Sequence, residues 1–231
     1  MSDSTYVLVH GAWGGGWCWR DVGAELTRRD VKWTVLDLPS STHGAHANTF
    51  LADDAREVIE IANLEGPVVL VGHSYGGAVI TEAADQIKNL KRLVYIAALV
   101  PALGQSASEA KQEVPAMTLL DEAIEVNDEF LRLDPELAVM ALYQDCAEEV
   151  ASWAVPQLTA QTLASFRSPR SSYDVDVPSV YIQCSNDQAI DPSLQVVMAE
   201  RCSEVMSLES GHSPFFSRTS TLCDFLLAGA F

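Results

Sequence analysis

The chain has 231 residues, of which 48% are hydrophobic and 20% are charged, and its formal net charge is −18. This composition is typical of a globular protein with one domain of ordinary size. The acidic balance disfavours binding of nucleic acid, which needs clustered Lys and Arg, and to a lesser degree binding of strongly anionic substrates. No apolar run reaches the roughly 18 residues of a membrane span, and residues 1–5 contain no basic segment, so we expect neither a membrane helix nor a signal peptide.

The five cysteines are scattered along the chain and form no C-x-x-C pair. We therefore expect no disulfide framework and no zinc site, and a reducing cytoplasm is the simplest compartment. No cofactor or metal is expected. The expected partner is a small-molecule substrate, with no nucleic acid and no membrane, while the sequence leaves open whether the protein is a homodimer.

Short apolar segments alternate with segments of helical spacing from the start of the chain. Residues 6–9 and 33–36 are predicted strands, and residues 19–28 and 49–63 are predicted helices, with Thr49 as a candidate N-cap of the second. Later elements repeat this alternation: strand 67–71, helix 78–87, strands 93–97 and 179–183, helix 192–201, strand 204–208 and helix 214–230. Apolar strands separated by helices predict an α/β fold with a parallel sheet covered on both faces.

Residues 104–166 break this alternation. They contain no convincing strand, whereas helical patterns occur around residues 117–124, 136–143 and 147–163. We therefore divide the chain into a core of residues 1–103 and 167–231 and a helical cap of residues 104–166. The cap follows a strand on the C-terminal side of the sheet, where it can form a lid; the alternative is an extension that only packs on the sheet.

The segment Gly72-His73-Ser74-Tyr75-Gly76-Gly77 lies between a predicted strand and a predicted helix. A sharp strand-to-helix turn presents a serine hydroxyl clear of the backbone, and Gly72 and Gly76 leave room where a Cβ would collide. The N-terminus of the following helix also favours a developing oxyanion. We interpret Ser74 as a nucleophile; the alternative is a glycine-rich turn with an incidental serine.

A nucleophilic serine needs a base and an orienting carboxylate, and on this type of turn the chain order is Ser, then Asp or Glu, then His. His212 is the only histidine after Ser74, and it follows the last predicted strand. Asp187 is the preferred acid because its loop follows strand 179–183; Asp191 is the next candidate, but it resembles a helix N-cap followed by proline. The aspartates between serine and histidine are Asp85, Asp121, Asp128, Asp134, Asp145, Asp174, Asp176, Asp187 and Asp191.

The oxyanion hole should consist of two backbone N–H groups. We assign one to Tyr75, which follows the nucleophile, and one to Ala12, in the glycine-rich loop after the first strand. That loop lacks the spacing of a nucleotide-binding loop. We expect His10 to support the loop and His73 to point away from the site, while His43 could line the pocket. Candidate pocket residues, each of which could equally be core, are Trp13, Tyr143 and Trp153, with Phe130, Leu142 and Leu158.

These segments resemble the α/β-hydrolase fold family, and within it the plant methylesterase and hydroxynitrile lyase group with its bacterial esterase relatives. The matching segments are residues 7–13, 15–17, 36–38, 70–77, 142–146 (Leu-Tyr-Gln-Asp-Cys), 181–184 with Asp187, and 211–212. The resemblance implies a mostly parallel, twisted sheet with helices on both faces and a helical cap inserted after the sixth-type strand. It also implies the triad of Ser74, Asp187 and His212, the oxyanion hole of Ala12 and Tyr75, and small esters as substrates.

Two departures from the family pattern affect the expected function. The segment between the strand that ends near Ala97 and Leu142 is shorter than in the plant enzymes, so the shape and size of their acyl pocket cannot be assumed for this protein. Ser213 follows His212, where the lyases place a lysine that stabilises the departing cyanide, and no lysine occurs after Lys111. We therefore expect a serine hydrolase that cleaves a small, largely apolar ester, carbamate or amide through an acyl-enzyme on Ser74. The alternatives are a lyase and a non-catalytic protein that binds a small ligand.

Overall fold

A six-stranded parallel sheet forms the centre of the computed structural model, which describes residues 4–127 and 129–228. The strands in chain order are β1 (Thr5–Val9), β2 (Trp33–Val35), β3 (Val68–His73), β4 (Leu90–Ile96), β5 (Ile124–Asn127), β6 (Phe130–Leu133), β7 (Gln161–Thr162), β8 (Ser179–Cys184) and β9 (Glu204–Leu208). The central sheet has the order β2-β1-β3-β4-β8-β9. Its register pairs Val9 with Gly72 and Gly72 with Tyr95, so the C-terminal ends of these strands share one edge.

Helices cover both faces of this sheet. They are α1 (Arg20–Arg28), α2 (Leu51–Leu64), α3 (Tyr75–Ala83), α4 (Ala107–Lys111), α5 (Leu119–Ala123), α6 (Pro135–Leu142), α7 (Glu148–Ala154), α8 (Leu163–Arg167), α9 (Pro192–Ala199), α10 (Pro214–Ser217) and α11 (Thr219–Leu227). Alternate residues of β1 enter opposite cores: Val7 belongs to the apolar core that includes residues of α2, α3 and α9, whereas Leu8 belongs to the core that includes residues of α1 and α11. This arrangement confirms the predicted parallel sheet covered on both faces.

The cap differs from the prediction because it contains strands as well as helices. β5, β6 and β7 form a small antiparallel sheet in which Ile124 pairs with Leu133 and Leu131 pairs with Gln161. The expectation that residues 104–166 contain no strand is therefore wrong. Apolar and polar residues alternate over the four residues of β5 but not over those of β6, and so short an alternation is a weak signal beside the helical patterns around it.

Two helix boundaries also differ from the predicted ones. Helix α2 begins after Phe50 rather than after Thr49, because the Asp53 carboxylate accepts a hydrogen bond from the Phe50 N–H at 2.8 Å. The predicted helix over residues 214–230 is divided at Arg218 into α10 and α11, and its residues 229 and 230 lie outside the described residues. Within the described part of the chain, no helix combines the length and apolar character needed to cross a bilayer.

Candidate active site

Ser74 lies at the turn between β3 and α3, with φ of 55° and ψ of −122°. A non-glycine residue at positive φ is strained, and such strain is concentrated at functional sites. The turn is closely packed: a Cβ on Gly72 would lie 2.5 Å from the carbonyl oxygen of Gly76, and a Cβ on Gly76 would lie 2.5 Å from that of His10. The two glycines therefore allow the strand, the turn and the loop after β1 to approach one another.

His212 and Asp187 form a buried pair in the loops that follow β9 and β8. The Nδ1 of His212 lies 2.8 Å from Oδ2 of Asp187, and both side chains are at most 3% exposed. With Nδ1–H donating to the carboxylate, Nε2 of the imidazole is left to accept a proton. The pair thus has the geometry of a base and its orienting acid.

The carboxylate of Asp187 is itself held by several donors. Its Oδ1 accepts hydrogen bonds from the N–H groups of Ala189 at 2.7 Å and Ile190 at 3.0 Å. Its Oδ2 also accepts from the side-chain amide of Gln195 at 2.9 Å. Gln195, fully buried on α9, was not predicted, because no local pattern in the sequence relates it to Asp187. Asp191, the other candidate acid, caps α9 by accepting from the Ser193 N–H, as expected from the Asp-Pro pair.

Ser74 and His212 line one small cavity of about 30 Å³. No hydrogen bond joins the Ser74 hydroxyl to the imidazole among those of the described residues, and such bonds often form only when substrate is bound. Most other groups around the cavity are apolar or belong to the glycine-rich loop. They are Gly11, Ala12, Trp13, Gly14, Cys18, His73, Leu142, Tyr143, Leu158, Ser213 and Phe215.

The N–H groups of Ala12 and Tyr75 have no hydrogen-bond partner among the described residues, which leaves both available to an oxyanion. The loop carrying Ala12 lies directly against the nucleophile, since a Cβ on Gly11 would be 2.9 Å from Cβ of Ser74. His10 supports this loop: its Nε2 accepts from the N–H of Leu38 at 2.9 Å, and its Nδ1 donates to the carbonyl of Gly11 at 2.7 Å. Burial lowers the pKa of His10, which keeps the ring neutral.

Trp13 connects this loop to the cap. Its indole N–H donates to the carbonyl of Leu131 in β6 at 2.9 Å, and its own carbonyl accepts from the N–H of Thr159 at 2.8 Å. Trp13 also has a positive φ of 60°. The cap therefore contacts the loop that carries one of the two proposed oxyanion donors.

His73 does not point away from the site as predicted. Its Nε2–H donates to the carbonyl of His212 at 2.8 Å, and the centres of the two rings are 4.5 Å apart. The difference arises because His73 ends β3 at the same sheet edge as the loop after β9, so its ring fills the space between His212 and Phe215. Burial, with a smaller contribution from His212, lowers the pKa of His73 well below its ordinary value, so this ring is neutral.

The pocket predictions divide into residues that line the cavity and residues that do not. Trp13 and Tyr143, with Leu142 and Leu158, are part of its lining. Trp153 lies outside it, because its ring packs against Trp17 and Phe216 and under the guanidinium of Arg20. Phe130 also lies outside, in the cap sheet, and His43 lines a neighbouring cavity of about 420 Å³ that shares Gly14 with the first.

The described residues contain no group of three or more His, Cys, Asp or Glu side chains that could hold a metal ion. Of the nine aspartates considered as the acid, Asp128 lies outside the described residues. Asp187 is the one hydrogen-bonded to His212.

Residues 6–224 match the alpha/beta hydrolase family. A carbendazim-hydrolysing esterase of Nocardioides sp. (strain SG-4G) is 34% identical over 185 residues, which cover 72% of this chain and 72% of that protein. Methylesterase 18 of Arabidopsis thaliana is 28% identical over 258 residues, covering 100% of this chain and 98% of that protein.

Solved structures resemble the whole chain. The crystal structure of a pyrethroid hydrolase from Sphingobium faniae JZ-2 has a TM-score of 0.85 and 24% identity, and the match covers 98% of this chain and 97% of that one. A methylesterase of Arabidopsis has a TM-score of 0.81 and 24% identity, covering 97% and 98%. These matches confirm the predicted α/β-hydrolase fold and the predicted resemblance to plant methylesterases and bacterial esterases.

Proposed function

Because this chain belongs to the alpha/beta hydrolase family, we propose that it is a serine esterase that cleaves small, largely apolar carboxylic esters. The observation that carries the proposal is the pair of His212 and Asp187 buried beside a strained serine. Ser74 shares one cavity with His212, and beside it are the N–H groups of Ala12 and Tyr75, which have no hydrogen-bond partner within the described part of the chain. A nucleophile, a base with its acid, and donors for an oxyanion are the parts that acyl transfer requires.

The proposed mechanism begins when Nε2 of His212 takes the proton of the Ser74 hydroxyl as Oγ attacks the ester carbonyl. The carbonyl electrons move onto oxygen, where the N–H groups of Ala12 and Tyr75 stabilise the negative charge. When the C–O bond to the alcohol breaks, the imidazolium protonates the departing alkoxide, which leaves an acyl-enzyme. A water that loses its proton to the same imidazole then hydrolyses the acyl-enzyme and restores Ser74.

The substrate class follows from the lining of the cavity. Leu142, Tyr143, Leu158 and Phe215 supply an apolar surface, and a volume of about 30 Å³ suits a small group beside the reacting carbonyl. The relative that hydrolyses carbendazim extends the proposal to carbamates, since the same triad serves both kinds of acyl group. Hydrolysis is preferred to cyanohydrin cleavage because neither Lys nor Arg is present among the cavity residues of the described structure.

The experiment compares the wild type with Ser74→Ala on p-nitrophenyl esters of increasing acyl length and on aryl carbamates. We expect the rate of hydrolysis by the wild type to fall as the acyl group lengthens. In Ser74→Ala the rate should be lower by about 10⁴-fold or more. Ser207→Ala, which removes an exposed hydroxyl on β9 outside the cavity, is the control and should retain full activity.

A serine-directed phosphonate provides a second measurement that does not depend on the choice of ester. We expect one adduct per chain, on Ser74. The absence of that adduct would contradict the serine mechanism. Rapid release of benzaldehyde from mandelonitrile, above the uncatalysed background, would favour the lyase instead.

A further inference from the structure

The cap makes two hydrogen bonds to the loops that carry the proposed acid and base. The side-chain amide of Gln144 donates to the carbonyl of Asn186 at 2.9 Å. The carboxylate of Asp145 accepts a hydrogen bond from the N–H of Gly211 at 2.8 Å. Asn186 and Gly211 immediately precede the acid and the base in the chain, so adjacent cap residues contact both loops next to their functional side chains.

The contact with the base loop is close. A Cβ on Gly211 would lie 2.5 Å from Nε2 of Gln144 and 2.6 Å from Oδ1 of Asp145, so a side chain at this position would displace these two cap side chains. On the other side of the base, the thiol of Cys146 lies 3.9 Å from the carbonyl of Ser213. Residues 144–146 therefore contact the base loop on both sides of the imidazole.

These contacts matter because the base loop is irregular. Its main chain is joined to the acid loop by a hydrogen bond from the Asn186 N–H to the Ser210 carbonyl at 3.0 Å, which lies before the base. The hydrogen bond from Gly211 has a carboxylate as its acceptor, and such bonds are stronger than those between neutral groups. An error of about 1 Å in the position of a catalytic group can reduce a rate on the order of 100-fold.

We propose that Asp145, assisted by Gln144, is a positioning residue that sets the location of His212 relative to Ser74. This inference rests on the proposed esterase function. Neither Gln144 nor Asp145 lines the cavity, so both act through the loops and not on the substrate. The proposal gives a role to the segment Leu-Tyr-Gln-Asp-Cys, residues 142–146, which resembles the family but had no function assigned from the sequence. The cap thus completes the catalytic geometry in addition to covering the site.

The test compares Asp145→Ala, Asp145→Asn and a control, Glu149→Ala, which removes an exposed carboxylate from α7 of the same cap. With p-nitrophenyl acetate, we expect kcat of Asp145→Ala to fall about ten- to a hundredfold while KM stays within about twofold. Asp145→Asn should recover most of kcat, because its amide oxygen can accept from the same N–H. Glu149→Ala should match the wild type.

Gln144→Ala provides a second variant, since its side chain is exposed and its removal leaves the buried core intact. It should lower kcat by a smaller factor, again with little change in KM. The rate at which the phosphonate labels Ser74 should fall with kcat in each variant, because labelling uses the same base. A purely structural role would instead lower the yield of folded protein and leave the labelling rate of the folded fraction unchanged.

The proposal is overturned if folded Asp145→Ala has the kcat of the wild type, if only KM changes, or if Asp145→Asn is as slow as Asp145→Ala. These outcomes differ from failure of the esterase function itself. In that case, wild-type protein would neither hydrolyse the esters nor form the adduct on Ser74.

Discussion

The carboxylate of Asp54 accepts a hydrogen bond of 2.7 Å from the hydroxyl of Tyr75, the residue after the proposed nucleophile. Asp54 is fully buried on α2 and also accepts from the N–H and the hydroxyl of Ser40, at 2.9 Å and 2.6 Å. Its burial raises the pKa of this carboxyl to about 6, despite the three hydrogen bonds that favour the ionised form. The side chain of one proposed oxyanion donor is thus held by an acid whose pKa is raised by burial.

This pKa predicts how stability depends on pH. Because the folded state binds the Asp54 proton more tightly than the unfolded chain, unfolding releases that proton between about pH 4 and pH 6. The contribution of Asp54 to the free energy of unfolding therefore decreases as pH rises through this interval, by about 3 kcal/mol in total. Asp54→Asn, which cannot ionise, should lack this decrease.

Urea unfolding at half-unit steps from pH 4 to pH 7.5 gives the free energy of unfolding of the wild type and of Asp54→Asn. Subtracting one from the other at each pH removes the contributions of the other carboxyl groups, which the two proteins share. Glu60→Gln, on the exposed side of the same helix, is the control. A difference between wild type and Asp54→Asn that does not vary with pH would contradict the prediction.

Gly76 should not tolerate a side chain. A Cβ at this position would lie 2.5 Å and 2.7 Å from the carbonyl oxygens of His10 and Val9, and backbone cannot move aside as a flexible side chain can. We expect Gly76→Ala to lower the free energy of unfolding by about 3 kcal/mol or to prevent folding. Gly66→Ala, where a Cβ meets no atom within 4 Å, should change it by less than about 0.5 kcal/mol. Thermal unfolding of both variants tests this contrast.

The hydrogen bond from His73 to the carbonyl of His212 should support catalysis. In His73→Leu that buried carbonyl loses its partner and the base loses a neighbouring ring, so we expect kcat to fall about tenfold. His73→Gln keeps a donor and should be less impaired. Steady-state hydrolysis of p-nitrophenyl acetate by the two variants gives the comparison, and equal rates would exclude a role for the donor.

The cysteines should react slowly in the native protein. Burial raises the pKa of Cys18 and Cys146 to about 12 and that of Cys202 and Cys223 to about 11, and it also raises the pKa of Cys184. Since the thiolate is the reactive form, little of it is present at pH 8. We expect labelling by iodoacetamide to be slow before denaturation and to reach all five thiols afterwards. A rapidly labelled native thiol would contradict this expectation.

The features that the sequence could predict are those governed by short-range rules. The order of strands and helices follows from local patterns, and the interpretation of Ser74 follows from glycines two residues to either side. His212 could be selected because the chain order left no other histidine. The observed bond between His212 and Asp187 agrees with the choice of acid made from its position after a strand.

Other features depend on contacts between distant segments. His73 is adjacent to Ser74 in the chain, but its orientation depends on Phe215, and the sequence does not show that the two rings meet. The contact between Asp145 and Gly211 joins residues 66 positions apart. The cap strands have four residues or fewer, which is too short for a strand pattern to be distinguished from the surrounding helical patterns.

The two hydrogen bonds of Trp13 with the cap have a consequence for protein engineering. Caps are natural units to exchange when the substrate range of an esterase is to be changed. In this protein, replacing the cap with that of another enzyme would remove the carbonyl of Leu131 and the N–H of Thr159. Trp13, in the loop beside Ser74, would then lose both of its hydrogen bonds with the cap. A donor cap should therefore be chosen first for a strand and a loop that present the same two groups, and only then for the shape of its pocket.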